Sequence, residues 1–257
     1  MWRTIRIAIL LVVLAVVAGG AWIDQHRTTS WQHTVWVGAF PVNADDSAAA
    51  AAYLATLDDA ALQPVADFIA REAQAHGITL DEPVHLRLYP SPPAAPPDLP
   101  PHAGPLARML WSLKLRHYRS QTLDTIDRSP PQITLFLLYH DPERLAVLPH
   151  SVGLQRGLMG VVHLFATRSQ AQQNAIVVAH ELLHTFGATD KYDFASDAPR
   201  YPDGYAEPQR EPRWPQRYAE IMAGRVPLSA DRQQMPDDLQ QVRVGAETAR
   251  EIGWSRQ

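Results

Sequence analysis

The amino-acid sequence predicts an α+β domain, helices packed on a small mixed sheet, set behind an N-terminal transmembrane segment. Three observations lead there. Ile133–Tyr139 and Gly160–Ala166 are short apolar runs rich in β-formers and read as strands. A long helical segment follows them directly, from about Gln170 to Phe186, and stops at Gly187. At the other end of the chain, Ile5–Ile23 is an apolar run of 19 residues whose single charge is Arg6 near its start, about the length of a helix that crosses a bilayer core of about 30 Å.

The apolar run has Arg3 before it, Arg6 at its start and Asp24, His26 and Arg27 after it, which keeps the N-terminus cytoplasmic and exports the rest. Ala18-Gly19-Gly20 offers a signal-peptidase site, and cleavage would make the chain a secreted protein. The uncleaved anchor, residues 1–27, is the preferred reading because the apolar run continues through Trp22 and Ile23. The domain proper then occupies residues 28–257.

Within it, Thr34–Phe40 reads as a strand. Asp45 and Asp46 precede an alanine-rich helical stretch over Ser47–Leu57. Asp58 or Asp59 caps a second helix to about Ala75, with Leu62, Val65, Phe68 and Ile69 on its apolar face and Gly77 beyond its end. Val84–Tyr89 alternates like a strand. Eight prolines between Pro90 and Pro105 make that stretch an irregular loop. Leu106–Tyr118 follows as a helix with a solvated face carrying Lys114, Arg116 and Arg119. Ser169 is placed to cap the long helix. Asp190–Pro215 is a polar loop, Ile221-Met222-Ala223-Gly224 an apolar turn, and Ala246–Ile252 a last helix.

Composition excludes several kinds of chemistry. The formal net charge of −4 offers no concentrated basic surface for nucleic acid. Cysteine is absent, which removes disulfides, thiolate metal sites and cysteine nucleophiles, so a metal must be held by His, Asp or Glu.

Those residue types meet in one segment. His180 and His184 stand four apart on the long helix, so both imidazoles leave the same face and can share a metal ion. Glu181 lies beside them, placed to take a proton from a metal-bound water rather than to ligate. Gly187 lets the helix stop abruptly and the chain turn back, which makes Asp190 the nearest third ligand. Glu207, Glu211 and Glu220 are alternatives for that place; Glu220 reads as a surface residue or one that supports the ligands. Asp193 reads as a solvated loop aspartate, with orienting a ligand histidine as the alternative. His140, His150 and His163 lie near strands that can border the cleft and read as packed or exposed residues.

His180-Glu181-x-x-His184-x-x-Gly187-x-x-Asp190 resembles the zinc signature of the metzincin peptidases, in the variant with aspartate as third ligand that the snapalysins carry. The resemblance covers about residues 160–225. It implies a zincin-like catalytic domain with Zn2+ on His180, His184 and Asp190, and peptide-bond hydrolysis at the cell envelope or outside the cell. It also implies a methionine turn beneath the metal, for which Met222 is the candidate, and an edge strand that pairs with an extended peptide, for which Gly160–Ala166 is the candidate, with an ordinary interior strand as its equal alternative. Some metzincins have a tyrosine two residues after that methionine; here the position is Gly224, which passes the role to Tyr192 or Tyr218 or leaves it vacant. The expected partners are a peptide or protein substrate and, through the N-terminal helix, the membrane. Two other functions fit the same residues: a catalytically silent envelope module that keeps the zinc fold, and a zinc hydrolase acting on something other than a peptide.

Overall fold

The computed structural model of the protein describes residues 2, 5–7, 28–100 and 103–255. Among the described residues no helix is long and apolar enough to cross a membrane. The predicted anchor lies outside the described residues for nearly all of its length.

A five-stranded mixed sheet organises the chain. Its strands are β1 (Val35–Asn43), β2 (Val84–Leu88), β3 (Ile133–His140), β4 (Val152–Leu154) and β5 (Met159–Phe165), in the order β2-β1-β3-β5-β4. β1, β2, β3 and β5 run parallel, and β4 pairs antiparallel with β5 at the edge. The helices are α1 (Ala48–Leu54), α2 (Gln63–Ala75), α3 (Pro105–Asp124), α4 (Ala171–Phe186) and α5 (Ala246–Glu251).

The central strand β3 is buried at every residue, as its unbroken apolar sequence requires of a strand covered on both faces. Its side chains alternate between two clusters. Ile133, Leu135 and Leu137 join a large core with Phe68 and Ile69 of α2 and Leu182 and Phe186 of α4. Phe136 and Leu138 face the other way, onto Trp111 and Leu115 of α3. So α2 and α4 share one side of the sheet, and α3 covers the other.

One predicted detail is corrected and one is decided. Ser169 does not cap α4, which is entered through a short 3-10 turn, Arg168–Gln170; the hydroxyl bonds Thr167 instead. The start of α4 is held by Asn174, whose side-chain amide bonds both backbone groups of Phe165 (3.1 and 2.8 Å) and ties the helix to the end of β5. Gly160–Ala166 is the interior strand of its two readings, not the sheet edge. β5 is paired on both sides, and the edge belongs to β4, a three-residue strand too short to show a period of two.

The far end of α4 is packed as firmly. Trp31 lies against Phe186 and Trp254 (ring centroids 4.8 and 5.6 Å) and donates its indole N–H to the Ile252 carbonyl. Residues from both ends of the domain thereby clamp the point where the helix stops.

Candidate metal centre

Gly187 closes α4 with φ +111°, in the left-handed region where a Cβ would be strained and would also meet the Gln155 amide. The amides of Gly187 and Ala188 bond back to His184 and Leu183, so the chain reverses tightly. Asp190 then comes back under the helix. The Lys191 amide donates to the Met222 carbonyl (2.9 Å), and Arg200 holds the Asp190 carbonyl (2.6 Å).

Three side-chain atoms meet there. His180 Nε2 and His184 Nε2 are 3.1 Å apart, and Asp190 Oδ1 is 3.2 Å from each. The other ring nitrogens are occupied by backbone carbonyls: His180 Nδ1 faces Ile221 O at 2.9 Å and His184 Nδ1 faces Ala188 O at 2.8 Å. A carbonyl only accepts, so Nδ1 carries the proton in both neutral rings and each Nε2 presents a lone pair. Two nitrogen lone pairs and a carboxylate oxygen within 3.2 Å of one another repel unless a cation sits among them.

The donor set fits a small divalent ion. Around a tetrahedral centre with bonds of about 2.0 Å, ligand atoms stand about 3.3 Å apart, close to the separations found. The His180, Glu181 and His184 ligand atoms also lie within 4.8 Å of one another, so this group could bind a metal.

In the metal-free chain a proton takes the cation's place. Burial works against a charge on His180, but Asp190 and Glu181 outweigh it and hold the imidazole up at about 9. Burial would raise Asp190; the two imidazoles outweigh it and hold that carboxyl well below the usual carboxylate range. A raised imidazole stabilises the metal-free fold fully below its unfolded value of about 6.5 and loses that contribution as pH rises through about 9. A metal needs the neutral ring. Binding near pH 7 is therefore expected to release about one proton per ion and to tighten as pH rises toward 9. Calorimetric titration in buffers of different ionisation heat measures this, and a proton count near zero would contradict it.

Glu181 is buried, and its Oε2 has no hydrogen-bond partner among the described residues. Burial pushes its carboxyl up, and the neighbouring imidazoles only partly offset that. Against it lies the edge strand. A Cβ at Gly153 would run into the Glu181 carbonyl oxygen, come within 2.6 Å of His184 Cβ and stand 3.3 Å from Glu181 Oε2. Only glycine lets β4 approach so closely. Gly153→Ala is expected to push β4 off the helix, costing about 1–3 kcal/mol of stability, which a thermal or denaturant melt reads.

The remaining candidates separate clearly. Met222 is fully buried in the turn that lends Ile221 O to His180. Tyr192 is near enough to the centre that burial and the charges of Asp190 and Glu181 push its phenol up to about 12. Tyr218 is taken up by the Arg243 guanidinium, 3.8 Å from its ring. Glu207 is paired with Arg217 and Glu211 is exposed, so neither joins the cluster. Asp193 orients no histidine; it caps its own turn through the amides of Ala195 and Ser196. His140 and His163 bond each other at 2.9 Å.

Of the two readings of Glu220, the surface one is overturned and the supporting one remains: the residue is completely buried. One oxygen accepts from the amides of Met222 and Ala223 (2.6 and 3.0 Å), the other from the Gly245 amide and the Thr248 hydroxyl (3.1 and 2.6 Å). It is the internal brace of the turn that orients His180. No family model matches the chain, and a search of curated proteins returns no relative.

Proposed function

We propose that the chain is a metzincin-like, zinc-dependent peptidase, tethered by its N-terminal segment and acting on the outer side of the membrane. The observation that carries this reading is the meeting of three possible ligand atoms, His180 Nε2, His184 Nε2 and Asp190 Oδ1, beside a buried glutamate whose Oε2 has no partner among the described residues. A purely structural zinc site closes its fourth position with another side chain; here the next carboxylate is Glu181, whose Oε2 has no partner.

Zinc held by His180, His184 and Asp190 would supply Lewis acidity, making water a stronger acid and a carbonyl a better electrophile. Glu181 supplies the proton chemistry. Its burial raises the carboxyl toward the range where one group can accept a proton at Oε2 and return it to a leaving amine. Ile221 O and Ala188 O fix the tautomer and aim of the two imidazoles. β4, at the open edge of the sheet and in contact with α4 through Gly153, offers backbone groups to an extended peptide. Tyr192 is the side chain available to steady a developing oxyanion, since its phenol keeps its proton up to about 12.

The test is metal content and hydrolysis in the full chain. Purified protein should carry about one zinc, cleave members of an unbiased peptide library, lose cleavage to a chelator and regain it with zinc. Bound zinc with no cleavage of any peptide would favour the silent module or a non-peptide hydrolase and overturn the peptidase reading.

A further inference from the structure

His140 and His163 meet on the side of the sheet away from α4. Alternation along β3 turns Phe136, Leu138 and His140 toward α3, and alternation along β5 turns Val161 and His163 the same way. His140 Nε2 and His163 Nδ1 stand 2.9 Å apart. Among the described residues the other contact between imidazole nitrogens is that of His180 and His184, at 3.1 Å. The hydrolysis proposed above uses neither His140 nor His163, and the sheet lies between them and α4.

One proton joins the two rings, and no neighbour fixes which ring supplies it. The outer nitrogens, His140 Nδ1 and His163 Nε2, have no hydrogen-bond partner among the described residues, and neither is a buried atom left without one. They therefore reach solvent, and the donor ring can carry its proton on the outer nitrogen instead. Both inner lone pairs are then free, and two lone pairs this close need a cation between them. Burial holds both imidazoles below their ordinary range, His163 down at about 4, so near pH 7 the pair is uncharged and an ion displaces no net proton. A carboxylate is at hand. Asp98 is exposed on the proline-rich loop, between Pro97, whose carbonyl holds the Trp111 indole, and Leu99, which packs on the cluster of Leu138 and Val161. Its charge bears on both imidazoles. Asp45, the other acid near His140, has its oxygens taken by the amides of Ser47 and Asp141.

We propose that His140 Nε2 and His163 Nδ1 bind a second divalent cation of the zinc–copper class, with Asp98 as its third ligand. Imidazole suits these ions, and a site built on two imidazoles passes over Mg2+ and Ca2+. Seating an ion with bonds of about 2.0 Å spreads the two nitrogens from 2.9 Å to about 3.3 Å, a small motion for side chains of adjacent strands. No third ligand atom of the described residues lies within 4.8 Å of both, so Asp98 has to swing in from its loop. The site is therefore weaker than the one on α4 and fills after it, when metal is added to the purified chain. Its ion would tie the proline-rich loop to β3 and β5.

The full chain, stripped of metal, is titrated with Zn2+ at about pH 7 and its bound ions are counted by equilibrium dialysis. Wild type should take up about two, the second at higher free zinc. His163→Gln should take up about one, His180→Ala with His184→Ala about one, and the three substitutions together none. Asp98→Asn should weaken the second ion about 10–100-fold and leave the first as it was. A second ion that survives His163→Gln, or that Asp98→Asn leaves as tight, overturns the proposal. So does a wild type that saturates at a single ion lost with His180→Ala and His184→Ala. A wild type that saturates at a single ion lost with His163→Gln instead would support this site and sink the centre on α4. Should His163→Gln not fold, Cu2+ bound to the chain carrying His180→Ala and His184→Ala decides. Its electron spin resonance should show coupling to both imidazole nitrogens of the pair, and coupling to fewer overturns the site.

Discussion

Glu181→Gln is expected to keep its bound zinc and lose peptide hydrolysis by about 10²–10⁴-fold, the range for removing a positioned acid–base group. Glutamine has the same shape and cannot accept the proton. The three atoms assigned to the metal belong to His180, His184 and Asp190, and their supports, Ile221 O, Ala188 O and the Lys191 amide, are independent of Glu181. Metal content should therefore stay near wild type while kcat/KM collapses. The fold should not suffer. Burial raises the Glu181 carboxyl above its unfolded value, so its ionisation at neutral pH works against folding. The sign follows: the neutral isostere should melt at or above the wild-type temperature at pH 7. Retained hydrolysis would remove Glu181 from the mechanism, and loss of zinc with activity would make it a ligand instead.

The parts of this site that were legible in the sequence are those set by local spacing. The face shared by His180 and His184 follows from helical geometry, the stop at Gly187 from the left-handed conformation that glycine tolerates, and the return of Asp190 from the short distance left after that stop. β3 was legible because a strand buried on both faces is apolar throughout. What was hidden depends on partners distant in sequence. β4 has three residues, and its importance lies in Gly153 meeting a helix whose histidines come almost thirty positions later. The groups that orient the imidazoles are backbone carbonyls, which no residue pattern encodes. The polar stretch between Asp190 and Pro215 gave no sign that Tyr192 lies close to the centre and Asp193 does not, since that difference arises from the loop's own turns. The sequence left Glu220 open between a surface residue and a support, because the partners that decide it, Gly245 and Thr248, sit at the far end of the chain.

That brace should be the most costly single residue to remove. Glu220→Ala leaves the buried amides of Met222, Ala223 and Gly245 and the Thr248 hydroxyl without their acceptor. Each stranded buried group costs about 1–3 kcal/mol, and partial relaxation should bring the total to about 3–5 kcal/mol. Denaturant unfolding of the metal-free chain reads this loss. The damage should also reach the metal. The same turn presents Ile221 O to His180 and Met222 O to the Lys191 amide, one residue after Asp190, so its loosening disturbs two of the three ligands together. Supports of this kind are worth about 10–100-fold in metal affinity. Glu220→Gln separates the two effects. It fills the same space and keeps one acceptor oxygen, but turns an N–H2 toward donors that need an acceptor. It should fold, with a smaller loss of stability, and still bind zinc more weakly than wild type. If Glu220→Gln held zinc as tightly as wild type while melting earlier, the turn would be a structural joint alone, and the orientation of His180 would have to come from the helix itself.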